Sequence, residues 1–145
     1  MTVDRGYIER NDAERARLKA LIAKCSDADL ARPMPDGWTV AGVLLHMAFW
    51  DQRIVVLLGK WQTDGVIPRL EDSADVDWTN DSTKPMLLAV APRAAAELAA
   101  RIAETSDAMV AAVRDELVEQ NRYLNFSRAD HRGEHLEQIE AALRL

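Results

Sequence analysis

Residues 130–139 read DHRGEHLEQI, and this short stretch decides how the rest of the chain is read. His131 and His135 stand four apart, so on a helix both imidazoles project from one face, one turn above the other. Two neutral imidazoles held in that way can grip one metal ion. The chain has three histidines. The third, His46, lies in WTVAGVLLHMAFWDQR, a stretch with strong helical character. Leu136, Ile139 and Leu143 form the buried stripe of the last helix, and the histidine pair lies alongside it. The expected architecture is therefore one that carries His46 up to His131 and His135.

Working outward, three more apolar stripes appear. Leu18, Leu21, Ile22 and Cys25 mark a first helix over 4–25. Its start is interrupted by polar residues: either the end leaves the core, or Asn11 or Arg15 faces a cavity. Ser26 begins a capping box with a helical turn over 27–31. Pro33, Pro35 and Gly37 then forbid regular helix. Thr39 reads as the N-cap of a second helix to about Trp61, with core positions Val40, Val43/Leu44, Met47, Trp50/Asp51, Ile54 and Leu58. The segment 62–84 is long and acidic, yet Val66, Ile67, Leu70, Val76 and Trp78 can pack, so it reads as an excursion over the fold or a pocket wall. Trp78 is expected at the mouth of that pocket. A short turn over 84–91 precedes Pro92, which suits the first position of a third helix to about Leu117. The stripe there is Ala95, Leu98/Ala99, Ile102, Thr105, Met109, Val113 and Leu117. A connection over 116–126 follows, and Ser127 with Asp130 reads as the capping box of the last helix. No alternating pattern of a strand is present. Four long helices with one stripe each predict an all-α four-helix bundle, a single domain over 1–145, with a long connection between helices two and three that breaks simple up-down order.

Composition narrows the function. The chain has 145 residues and a net charge of -6. A phosphate-binding surface needs clustered Lys and Arg, so nucleic acid is not an expected partner. No apolar run reaches the roughly 20 residues that span a bilayer, so no membrane is expected either. The N-terminal MTVDRGYIERND is charged and lacks the apolar core of a signal peptide. One cysteine, Cys25, excludes an intrachain disulfide and fits a reducing, cytoplasmic setting. The expected partner is a small-molecule substrate, with a homodimer left open.

His46, His131 and His135 together supply three protein ligands. A catalytic metal site wants three and an open position, whereas a structural site wants a fourth. Zinc and nickel both accept imidazole, so the donor set does not choose between them. HRGEH also matches the HxxEH pattern of inverzincin metalloproteases. Those enzymes need a further acidic ligand well downstream, and ten residues follow His135; Glu134 therefore reads as a surface residue or a support to the ligands.

DGWTVAGVLLHMAFWDQR over 36–53, HRGEHLEQIEAAL over 131–143 and the order of elements together resemble the DinB-like superfamily. That superfamily includes the N-terminal domain of mycothiol-dependent maleylpyruvate isomerase and the bacillithiol S-transferases. The resemblance implies a four-helix bundle whose metal is held by one histidine of helix two and two of helix four, the positions of His46, His131 and His135. It also implies a thiol cofactor and a thiol S-transferase activity toward a small electrophile, with mycothiol, bacillithiol and glutathione as the thiols in view. Arg far outnumbers Lys and Ala is abundant, an association with high-GC genomes that suits mycothiol. The other functional classes in view are a non-catalytic metal-binding module and a metal-dependent hydrolase.

Overall fold

The computed structural model describes residues 3–65, 72–120 and 122–144, the last segment with side chains from 127 onward. Seven α-helices make up the described residues: α1 (Tyr7–Lys24), α2 (Asp27–Leu30), α3 (Val40–Asp64), α4 (Ser73–Leu88), α5 (Pro92–Ala111), α6 (Asp115–Gln120) and α7 (Arg122–Leu143). No strand occurs among them; Pro33 and Thr39 make one isolated bridge. α3 packs against both α5 and α7, and α1 packs against the same two.

Local chemistry explains most boundaries. Ser26 closes a reciprocal capping box with Asp29, and Asp72 does the same with Asp75 to open α4. The Thr39 hydroxyl accepts from Gly42 N–H to start α3, and Pro92 occupies the first turn of α5. α3 ends on Gly65 at φ 67, a left-handed residue that costs glycine nothing. Between α2 and α3 the chain turns through Asp36 and Gly37, both left-handed, and returns Met34 N–H to the Trp38 carbonyl at 2.7 Å.

The core has two apolar halves. The upper one gathers Leu18, Leu21, Leu30, Val40, Leu44, Met47, Ala96, Ala99, Leu136 and Ile139. The lower one gathers Tyr7, Ile54, Leu58, Trp61, Val110, Val113 and Leu117. α3 and α5 run the same way, since their first halves share the upper cluster and their second halves the lower. α1 and α7 also run parallel to each other: Asn11 meets Arg132, and Arg17 pairs with Glu140 further up. Tyr7 anchors the lower end by donating to the Val110 carbonyl at 2.9 Å. α3 is long and apolar enough to cross a membrane, but 67% of its most apolar window is buried inside the protein, as a central packing helix requires.

Several expectations need correction. Asp115–Gln120 is a separate helix, so the third stripe stops at Ala111. The buried face of α5 is Ala95, Ala96, Ala99, Ala103, Ser106, Asp107 and Val110, while Thr105 is exposed. Small residues face inward because α3 approaches closely there. α7 begins at Arg122, so Ser127 lies within the helix rather than at its start; its hydroxyl accepts from Arg128. The acidic excursion is largely one helix, α4, and Trp78 is 67% exposed on it. Its Asn80, not Trp78, faces α3 and accepts from Trp50 Nε1 at 2.8 Å. Val66, Ile67 and Leu70 lie outside the described residues.

Candidate metal centre

The antiparallel pairing of α3 and α7 sets the site. His46 is 8% exposed on α3, one turn after Val43 and just before the buried Met47. His131 and His135 are half-buried on α7, on the face beside Leu136 and Ile139. The three rings converge: centroids lie 5.3 Å apart for His46 and His131, 5.0 Å for His46 and His135, and 4.7 Å for His131 and His135. One nitrogen from each can be chosen so that all three lie within 4.8 Å of one another. No carboxylate or thiol among the described residues joins the group. All three histidines singled out in the sequence are thus brought together.

The electrostatics favour neutral imidazoles at His46 and His131. Burial, reinforced by His135, pushes His46 down to about 4. Burial first, then the electrostatic influence of His135, Arg128, His46 and Arg132, pushes His131 down to about 2. His131 keeps some surface exposed, yet protein surrounds it closely enough for burial to dominate. A neutral imidazole keeps a lone pair for a metal, and a charged one does not.

Two details fit a cation. His46 Nδ1 is buried with no hydrogen-bond partner, a cost that a ligand bond removes. His135 Nδ1 lies 3.0 Å from Gln138 Oε1, which only accepts, so Nδ1 donates and the lone pair remains on Nε2. Three nitrogens bound tetrahedrally to one ion at about 2.1 Å lie about 3.4 Å apart, so the rings must draw together by roughly 1 Å to close on one. Trp38 stacks at a tilt on His46, ring centroids 5.5 Å apart, and the Lys84 ammonium lies 5.2 Å from the Trp38 centroid. Lys84 also donates to the Asp36 carbonyl, tying α4 to the turn that carries Trp38.

One turn below the histidines lies a buried ionic layer. Arg132, fully buried, donates to both carboxylate oxygens of Asp107 at 2.7 and 2.9 Å, to Asp51 Oδ2 at 3.3 and 3.4 Å, and to the Asn11 carbonyl at 3.3 Å. Arg128 reaches Asp51 Oδ1 at 3.2 Å, and Arg15 reaches Asp107 Oδ2 at 2.7 Å. Arg15 therefore faces this layer with its side chain and Asn11 with its backbone carbonyl, so the Arg15 guanidinium accounts for one polar break in the first stripe. Sequence reading missed Arg132, Asp107 and the role of Asp51. The available signal was a carboxylate, Asp51, at a core position of the α3 stripe. Trp38 was also missed as a neighbour of His46; it directly precedes the α3 cap.

Flanking His46 on α3, Val43 is buried while Phe49 and Trp50 are half-buried and stack edge to face at 5.3 Å. Asp130 is exposed and paired with Arg10, and Glu134 is exposed. Burial raises the Cys25 thiol, which sits in the upper core away from the histidines.

No curated protein and no solved structure matched the chain. A family model, the mycothiol maleylpyruvate isomerase N-terminal domain, matches residues 12–132. That span takes in His46, His131 and the whole ionic layer, and stops just short of His135. The chain belongs to the mycothiol maleylpyruvate isomerase N-terminal domain family, the DinB-like domain to which its helical segments at 36–53 and 131–143 are similar.

Proposed function

We propose that His46, His131 and His135 hold one divalent cation, zinc or nickel, and that the chain is a metal-dependent transferase joining a low-molecular-weight thiol to a small electrophile. The observation that carries this reading is the convergence of three imidazoles, one with an orphaned buried nitrogen, in a chain of a mycothiol-associated family. In this reading α1, α3, α5 and α7 are the four helices of a DinB-like bundle, and α4 is part of the long connection between its second and third members.

A divalent ion on three uncharged ligands supplies Lewis acidity that favours the thiolate form of a thiol at neutral pH. The chain's residues do the rest. His46 and the α7 pair set the open position between two helices. Trp38, Val43, Phe49 and Trp50 give the surroundings an apolar character that suits a small, partly apolar electrophile. The thiolate sulfur forms one bond to the electrophilic carbon as that carbon's bond to its leaving group breaks, the electron pair departing with the leaving group, and the thiol proton goes to solvent. Cys25 does not compete as nucleophile, because it is buried in its protonated form and every histidine is engaged elsewhere.

The test uses tag-free protein with its metal content measured. Mycothiol, bacillithiol and glutathione are each offered with one electrophile, to the wild type and to His135→Ala. Turnover with one thiol that disappears in His135→Ala is expected. Turnover that persists in His135→Ala removes the metal from the chemistry. Metal-loaded protein that consumes no thiol is a metal-binding module without this activity.

A further inference from the structure

The ionic layer beneath the histidines spans the helices that would have to hold a metal site in register. Arg132 follows His131 directly and precedes His135 by three residues, so its backbone lies between those of the two α7 histidines. Asp51 lies five residues beyond His46 on α3, a rise of about 7.5 Å. The contact between them, 3.3 and 3.4 Å, links the helix of His46 to the helix of His131 and His135. Asp107 holds the other side of the same guanidinium from α5 with two short bonds. Arg128 adds a third bond from α7 to Asp51.

We propose that the buried Asp51–Arg132 pair, locked by Asp107, is the positioning brace of the three-histidine site. The inference rests on the metal reading above and adds residues to it that touch no metal. Apolar surfaces between helices tolerate small slides, because dispersion has no direction. A guanidinium forked between two carboxylates does not, because each bond weakens steeply off its axis. A slide of α7 along α3 carries His131 and His135 away from His46 and stretches every bond to Asp51 at once. Stability alone is a poor account of the layer, since buried ion pairs are commonly matched or bettered by apolar residues of similar volume. The layer also balances charge: two carboxylates offset Arg128 and Arg132, whose guanidiniums otherwise oppose a cation beside them.

The probe is Co2+, whose visible absorption reports ligand geometry, together with its affinity from chelator competition. Three single variants are compared with wild type: Asp51→Asn, Arg132→Lys and Leu58→Ala. Asp51→Asn removes a charge with little change of shape, and Arg132→Lys keeps the charge but loses the fork. Leu58→Ala destabilises the lower apolar half of the same α3 helix. Both brace variants are expected to weaken Co2+ binding by about tenfold or more and to shift the band, as losing support to a ligand set does. Leu58→Ala is expected to lower the unfolding midpoint while leaving affinity within about twofold and the band in place. If Asp51→Asn does not fold, Arg132→Lys, which preserves the charge balance, carries the test alone. Wild-type affinity and band in the folded brace variants overturn the brace and leave the metal site standing. A wild type that binds no Co2+ overturns both readings. Loss of affinity in Leu58→Ala equal to that in the brace variants reduces the pair to general stability and also overturns it.

Discussion

Replacing Asp107 with Asn keeps the shape of the side chain and removes its charge from a position 3% exposed. Asp107 accepts bonds of 2.7 and 2.9 Å from Arg132 and one of 2.7 Å from Arg15. Arg15 has solvent and Asp12 to turn to, at 3.1 Å. Arg132 is fully buried and keeps only Asp51 and the Asn11 carbonyl. Breaking a buried pair from one side costs about 3–5 kcal/mol. Asparagine still accepts one bond, so the expected loss is near the low end, about 3 kcal/mol. At roughly 2–4 °C per kcal/mol for a domain of this size, the melting midpoint falls by about 6–12 °C. Urea unfolding of metal-free protein measures it, as a lower midpoint at unchanged slope. Asp12→Asn, half-exposed and facing the same Arg15, is the comparison and should stay within about 0.5 kcal/mol. A loss below about 1 kcal/mol for Asp107→Asn refutes the claim that Arg132 depends on it.

Three further outcomes follow from the geometry. His46 ionises less readily folded, near 4, than unfolded, near the ordinary 6.5, so the unfolded chain binds the extra proton and metal-free stability falls as pH drops through that window; at about pH 5 the loss from this residue is about 2 kcal/mol, and pH-dependent urea melts of wild type and His46→Gln that run parallel contradict it. Gly42→Ala should cost about 1 kcal/mol net despite alanine's better helix propensity, because its Cβ meets Leu88 Cδ2 at 2.7 Å, Thr39 Oγ1 at 3.1 Å and Trp38 Cε3 at 3.2 Å. Gly59→Ala, whose nearest neighbour is Met109 Cε at 3.9 Å, should instead stabilise by up to about 1 kcal/mol, and equal effects at the two sites in thermal melts contradict the packing described.

What the sequence made legible was what local spacing encodes. The four-residue interval fixed His131 and His135 on one face, and the apolar run around His46 placed it near the core. Caps at Ser26 and Thr39 were readable because each is a contact within four residues. The ionic layer was not readable, because its partners come from four helices and each looks alone like a flaw in a stripe. Asn11 and Arg15 read as a helix end leaving the core, or as a cavity wall, since nothing nearby in sequence answers them. α5 was read one position off: Leu98 and Ile102 outweigh alanine in hydropathy, while the tight approach of α3 selects for small volume. Ser127 and Asp130 have the spacing of a capping box, but that spacing also occurs inside a helix once the preceding turn is helical.

α4 has no fully buried residue, and among the helices it packs appreciably on α3 alone. Among the described residues it is held by the Trp50–Asn80 bond, by Lys84 on the Trp38 turn, and by Leu87 and Leu88 at its end. Folding free energy is therefore unevenly distributed along the chain. Opening α4 exposes little apolar area, so it lies at the shallow end of the ladder of local unfolding, whereas opening α3 dismantles both halves of the core. Backbone amides of α4 are consequently the ones that trade hydrogen with solvent without waiting for the molecule to unfold. The flank of His46 covered by Trp38 and Lys84 borders the segment that detaches at least cost.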